Sequence, residues 1–224
     1  GLVAVSRADT EVSREDVERV ISQAQAISVP TNKEIIHVIP REFILDGVGG
    51  IKDVVGMRGV RLEVDALLVL ASSPFVSNLE KLIQESGVGL NGFVLSSLAA
   101  SRSVLSKRQK ELGVLVVDIG SATSDISVFE DGDLVHSNVF PLGSSHITND
   151  IAIGLKVNID LAEKIKVEHG TSSVSDINKR EIIDVNQLDS QSDGMVNRRE
   201  VIEIIEARMS EIFSLINNHL KEIE

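Results

Sequence analysis

The chain has 224 residues, 42% of them hydrophobic but only 3% aromatic, and its 34 acidic against 22 basic residues leave a net charge of −12. That balance argues against a nucleic-acid surface and for a protein that meets other proteins or metal-bound anions. The absence of cysteine excludes disulfide and thiolate-metal chemistry.

With so few aromatics the core must be built from Ile, Val and Leu, as in helix-covered sheets. Val3–Val5 predicts a short strand, and Ser13 caps a helix with Val17, Val20, Ile21, Ala24 and Ile27 on one face, ended by Pro30 and Asn32. Glu34–Leu45 and Val60–Ala71 are long strand-like runs separated by a Gly-rich connection, Asp46–Gly59. Ser73-Pro74 opens a second helix that carries Phe75, Leu79, Leu82 and Ile83 and stops at Gly87, so residues 1–87 form a small α+β unit. The apolar run Leu90–Leu95, a helix near Ser97–Ser106 and a charged stretch, Lys107–Glu111, whose Lys107-Arg108-Gln-Lys110 cluster reads as a solvated loop more simply than as an anion site, complete a second segment at residue 113.

From Val114 the pattern is strand, tight loop, strand, turn, strand. An apolar β-branched run ends in Asp118-Ile-Gly120-Ser121-Ala122-Thr123-Ser124-Asp125, and the next run ends at Asp131-Gly132, a strong hairpin signal. Small side chains at 120–124 let backbone N–H groups approach a phosphate, and the hard oxygens of Asp118 suit Mg²⁺ or its water shell. A β-hairpin whose polar turn binds nothing is the alternative reading of the same residues. Helices follow around Ser145–Gly154 and Ile159–His169, then a polar segment with a strand at Glu181–Val185. A long final helix from about Asn197 carries Val201, Ile205, Met209, Ile212, Ile216, Leu220 and Ile223 at spacings of four and three, a stripe suited to core packing.

Other chemistry is poorly supported by the residues. His37, His136, His146, His169 and His219 show no metal-ligand spacing, Asp131-Gly-Asp133 lacks the remainder of a calcium loop, and Ser144 and Ser145 before His146 read as helix caps. No apolar run approaches the ~18–20 residues of a membrane span and no signal peptide opens the chain, so a cytoplasmic location is expected.

The loop at 118–125 resembles the second phosphate-binding loop of the actin, DnaK-type chaperone and sugar-kinase superfamily, whose usual form is Asp-Ile/Leu-Gly-Gly-Gly-Thr-Thr/Phe-Asp. Further blocks narrow the resemblance: Glu34-Ile-Ile-His-Val-Ile-Pro-Arg-Glu-Phe-Ile-Leu-Asp46, Gly50-Ile-Lys-Asp-Val-Val-Gly-Met-Arg-Gly-Val-Arg-Leu-Glu63, Asn149–Leu155, Ala162–Gly170 and Val201–Arg208, in this order. Together they resemble the FtsA family of actin-like bacterial division proteins along essentially the whole chain.

That resemblance implies an α/β, actin-like (ribonuclease H-like) ATPase fold, partial here, with an inserted small α+β subdomain in residues 1–87. Residues 88–113 would be a remnant of the first actin-like domain and 114–224 an incomplete second one. It implies ATP and Mg²⁺ as cofactors, held at Asp118, Gly120, Ser121, Ala122, Thr123, Ser124, Asp125 and Gly143, with Asp118 serving the metal and Arg208 and Glu211 on the adenosine side. An i, i+3 ion pair on an exposed helix face is the other reading of Arg208 and Glu211. The family tethers polymers of the tubulin-like FtsZ to the inner face of the cytoplasmic membrane at the division site and self-associates into actin-like filaments. Residues 1–87 would meet later division proteins. Lys164, Lys166, Arg198 and Arg199 stand out on a chain of net charge −12 and are candidates to receive the FtsZ C-terminal tail, although solvated helix positions are the alternative for each.

The departures limit the chemistry. Gly120-Ser121-Ala122-Thr123 replaces Gly-Gly-Gly-Thr, which loosens phosphate contact, and Ser96-Ser97 stands where the family has Glu-Pro, removing a carboxylate that could orient the attacking water. Hydrolysis is expected to be weak or absent. The first phosphate loop, the adenosine loop and the amphipathic membrane helix of the family are expected outside this sequence, which reads as an internal fragment. The competing functions are an actin-fold ATPase or sugar kinase and an ATP-free scaffold of the pilus-assembly type.

Overall fold

The structure is a computed structural model describing residues 1–6, 11–173, 175, 181–189 and 194–223. It divides into two compact units, Gly1–Val116 with Ser127–Ser137 and Val117–Ile126 with Asn138–Glu224.

In the first unit, β1 (Leu2–Ala4), β2 (Lys33–Leu45), β3 (Val48–Ile51) and β4 (Arg61–Ser72) form an antiparallel sheet in the order β1-β4-β2-β3. The long β2–β4 ladder runs from Lys33 opposite Ser72 to Leu45 opposite Leu62, and its register shifts between Pro40 and Glu42. A proline within a strand has no N–H for the ladder, and a local irregularity there accommodates it. Leu62 and Val64 point inward with Phe43 and Leu45, and α1 (Arg14–Gln25) adds Val20 and Ala24 to close a core with Val12 and Val54. The helix ends before Ile27, which is half-exposed rather than on its apolar face. The Gly-rich connection is not loop throughout, because β3 lies inside it. Asp46 (φ 50°) and Gly47 (φ 86°) make a left-handed hairpin turn ahead of it, and the Asp46 carboxylate accepts the Val60 and Arg61 N–H groups.

Ser73–Glu85 is α2, the helix expected there; its Phe75, Leu79 and Leu82 are 78%, 47% and 64% exposed, and Val76 is buried. The run Leu90–Leu95 has no regular structure; α3 (Ser96–Val104) follows. Lys107–Leu112 is a helix, α4, not a solvated loop: Ser106 and Gln109 form a reciprocal capping box that satisfies its first N–H groups. The strands β5 (Val114–Ile119), β6 (Ser124–Glu130) and β7 (Asp133–Phe140) then make the expected meander in the order β5-β6-β7. Its turn has Asp131 at φ 51° and Gly132 at φ 89°, the pair of left-handed residues a two-residue hairpin requires.

The second unit contains α5 (Ser144–Leu155), α6 (Ile159–His169), the two-stranded β8 (Ile182–Asp184) and β9 (Met195–Asn197), and α7 (Arg198–Ile223). The stripe of α7 divides between two cores. Val201 and Ile205 join Ile147, Ile151, Leu161 and Ile165, whereas Ile212 and Ile216 pack with Ile126. Among the described residues no helix is long and apolar enough to cross a membrane.

Candidate functional site

The loop between β5 and β6 is held in a single shape by main-chain bonds. Gly120 N–H donates to the Thr123 carbonyl (2.8 Å), closing the turn, while the Gly120 and Ser121 carbonyls accept the N–H groups of Ser144 (2.9 Å) and Ser145 (2.8 Å). Those two donors are among the four that a helix start leaves unsatisfied, so α5 docks its N-terminus onto the loop. The fit is close at Gly143, which is buried: a Cβ there would lie 2.5 Å from the Ser121 carbonyl oxygen and 2.6 Å from that of Gly120. Ser144 and Ser145 are therefore not the caps the sequence indicated. Gly143 occupies the N-cap, and the Ser145 hydroxyl donates to the Ser121 carbonyl at 2.7 Å.

Gly120, Ser121, Ala122 and Thr123 are exposed, and Ser124 and Asp125 are buried at the start of β6, where the Ser124 hydroxyl donates to the Leu142 carbonyl. Asp118 is half-buried near the end of β5. None of the hydrogen bonds or ion pairs among the described residues uses its carboxylate. An exposed turn of small residues, with a hard carboxylate just before it, suits an oxyanion accompanied by a divalent cation. Among the described residues no group of three or more His, Asp or Glu could hold a metal by itself, so a cation at Asp118 would keep most of its ligands from water and the anion.

Arg208 and Glu211 are placed differently. The Arg208 guanidinium is bidentate to Asp150 on α5 (2.7 and 2.9 Å) and also meets Glu211, and the Asp150 hydrogen bond pushes its pKa up. This joins α5 to α7 within the second unit, a contact beyond the i, i+3 pair that spacing indicated.

The candidate partner cations fall into two classes. Lys166, only 15% exposed, donates to Thr148 Oγ1 (2.8 Å) and the Ser144 carbonyl (3.3 Å) and pairs with Glu163 (2.6 Å), and the Lys166 and Thr148 hydrogen bonds hold the Glu163 carboxyl below the usual range. Arg198 donates to the His169 carbonyl (2.9 Å) and pairs with Glu181 (2.7 Å). Both are structural ties, not solvated positions. Lys164 is exposed and reaches the Leu188 carbonyl, and Arg199 pairs with Glu203 one turn along the exposed face of α7.

The family description "SHS2 domain inserted in FTSA" matches residues 1–70 and "Cell division protein FtsA" matches residues 115–222. The cell division protein FtsA of Bacillus subtilis is 38% identical over 223 residues, covering 100% of this chain and 51% of that one. Its counterparts from Borreliella burgdorferi (39% identical, 96% and 52% covered) and Escherichia coli K12 (34%, 100% and 53%) give the same picture, so the chain spans about half the length of the curated relatives it matches. Among solved structures, MreB 5 of Spiroplasma citri bound to AMPPNP aligns with a TM-score of 0.54 at 20% identity, over 67% of this chain and 48% of that one. The PilM-PilN type IV pilus biogenesis complex aligns with a TM-score of 0.57 at 14% identity, over 100% and 54%. These likenesses show an actin-like fold. With a loop clamped as described, the inserted SHS2 domain at 1–70 and relatives matched along its whole length, the chain belongs to the FtsA family of bacterial cell division proteins.

Proposed function

We propose that the parent protein is a nucleotide-responsive cell division adaptor, acting at the inner face of the cytoplasmic membrane and linking FtsZ polymers to it. The observation that carries this reading is the Asp118 carboxylate, which makes no hydrogen bond or ion pair among the described residues, beside an exposed small-residue loop clamped to α5. These residues fit Mg-ATP: Asp118 faces the cation or its waters, Gly120–Thr123 offer main chain at close range, and Ser124, Asp125 and Gly143 fix the loop from behind. When bound, Mg-ATP supplies the concentrated negative charge and the metal that such a loop can sense. Arg208 and Glu211 would bound the adenosine side, with Asp150 fixing the guanidinium. In sequence Ser96-Ser97 replaces the family's Glu-Pro, so the carboxylate that the resemblance assigns to orienting water is missing, which favours binding over hydrolysis.

The FtsZ tail would lie on α6 and the start of α7. Lys164 and Arg199 meet its acidic flanks there, while Lys166 and Arg198 keep the surface in shape, and such charges set register and on-rate more than affinity. Residues 1–87 would serve self-association and contact with later division proteins. The membrane link would come from an amphipathic helix outside this sequence. In the full-length parent, Asp118→Ala should weaken Mg-ATP binding about ten- to a hundredfold, by titration calorimetry, with the melting temperature unchanged. Equal affinity in mutant and wild type would reduce the loop to a structural hairpin.

A further inference from the structure

Ser144 has both its N–H and its carbonyl engaged. Its N–H donates to the Gly120 carbonyl of the loop (2.9 Å), and its carbonyl accepts from Lys166 Nζ of α6 (3.3 Å), which also holds Thr148 Oγ1 one turn further along α5 (2.8 Å). Ser145 places two donors, its N–H at 2.8 Å and its hydroxyl at 2.7 Å, on the single carbonyl of Ser121. A path of direct hydrogen bonds therefore runs from the α6 ammonium, through the first turn of α5, to the two carbonyls that set the shape of loop 120–123. Gly143 keeps it tight, because a Cβ there would push against both of those carbonyls.

We infer that Ser145 and Lys166 are positioning residues for the phosphate-facing loop: Ser145 locks it to α5, and Lys166 locks α5 to α6. The loop's readiness for an anion and the arrangement of α6 are then coupled, and by linkage whatever moves one biases the other. Lys166 suits the role because it is nearly enclosed and charge-assisted, with Glu163 pairing its third donor direction at 2.6 Å. Ser121 makes the lock matter more than three glycines would: its Cβ narrows the conformations the loop can adopt, so its carbonyl direction is set from outside. The inference rests on the nucleotide reading above only for its ligand; the mechanical lock is independent of it.

Amide hydrogen exchange in the full-length parent without nucleotide tests the lock directly. In Ser145→Ala the Gly120 and Ser144 amides should exchange roughly three- to tenfold faster. In Lys166→Met, which keeps length and removes the ammonium, the Gly120 amide should also exchange faster, by a smaller factor. Ser145→Thr, which retains the hydroxyl, should restore wild-type exchange. Calorimetry should then show Mg-ATP affinity falling in the same order as the exchange rises. Wild-type exchange at Gly120 in both Ser145→Ala and Lys166→Met would overturn the inference. So would Mg-ATP affinities that match wild type in both. A wild-type parent that binds no Mg-ATP while the exchange effects appear would remove the nucleotide reading and leave the lock standing.

Discussion

Two carboxylates, one in each unit, are used in opposite ways. Asp16, in the first turn of α1, is fully buried and accepts hydrogen bonds from the Ser6 N–H and hydroxyl, the Ser13 N–H and hydroxyl, and Arg19. Asp118, at the end of β5, is half-buried and engages none of the described residues. Both carboxylate oxygens of Asp16 serve the fold; those of Asp118 accept no hydrogen bond from any described residue. The contrast separates a structural acid from a candidate functional one without appeal to any relative. Burial alone would have ranked them the other way.

The sharpest way to break this comparison is to remove Asp16. Ala at that position removes the acceptor of the Ser6 and Ser13 N–H groups and leaves Arg19 the Ala4 carbonyl alone, and hydrogen bonds to a charged group contribute about 1.5–3 kcal/mol each before relaxation. We expect Asp16→Ala to destabilise the first unit by about 3 kcal/mol, read by urea denaturation, while Mg-ATP affinity of the parent stays at the wild-type value. A loss of affinity without a loss of stability would invert the assignment of the two acids.

The same contrast has a pH signature. Burial pushes the Asp16 carboxyl up, but the hydrogen bonds from Ser13 and Ser6 outweigh it and hold the group well below the usual carboxylate range. A depressed folded value means the unfolded chain takes up the proton first, near its ordinary pKa of about 3.9. The stabilisation is therefore complete above that value and disappears as pH falls toward the folded one. Asp16→Asn should flatten the decline of wild-type stability below about pH 4, and parallel wild-type and mutant curves would show that another group governs the acid limb.

A smaller effect is expected at Gly143. Its φ of −157° is open to any residue, so Gly143→Ala acts through crowding alone, with the new Cβ at 2.5–2.6 Å from two backbone oxygens. Displacement of the loop should lower stability by about 1–3 kcal/mol and weaken Mg-ATP binding in parallel, measured by thermal melts and calorimetry. A stability loss with unchanged affinity would show that the loop's shape is irrelevant to the ligand.

How much of this was legible in the sequence depended on whether a signal was local. Asp131-Gly132 announced its hairpin because two left-handed residues leave few other options, and Ser13 announced α1 because its cap partner lies three residues on. The same Asp-Gly signal at 46–47 marks the turn into β3, and Ser106-x-x-Gln109 marks the start of α4, but each is masked by the glycine-rich or charged stretch around it. The β5–α5 clamp was beyond reach. Ser145 bonds to Ser121 across the whole β6–β7 hairpin, and nothing in a serine pair before a histidine distinguishes a helix cap from a latch on a distant carbonyl. Arg198 likewise looked like any basic residue at a helix start, since its acceptor, the His169 carbonyl, lies in another helix.

Arg198 and Arg199 give the smallest and most discriminating test. They are adjacent in sequence, yet Arg198 ties the end of α6 and Glu181 to the start of α7, whereas Arg199 pairs with Glu203 in a half-exposed i, i+4 bridge. Exposed bridges of this kind contribute at most about 0.5 kcal/mol, so Arg199→Glu should barely change the melt. Arg198→Glu removes two contacts and sets a carboxylate against the His169 carbonyl and Glu181, so it should destabilise the second unit. If the tail of FtsZ docks on this face, Arg199→Glu combined with Lys164→Glu should weaken binding of a tail peptide a few-fold at low salt and flatten its salt dependence, because rim charges act mainly through screened attraction. Arg198→Glu would weaken the peptide only alongside its loss of stability. Unchanged peptide affinity at low salt in the Lys164–Arg199 double reversal would place the docking surface elsewhere on the molecule, leaving the four cations with structural and solvating roles alone.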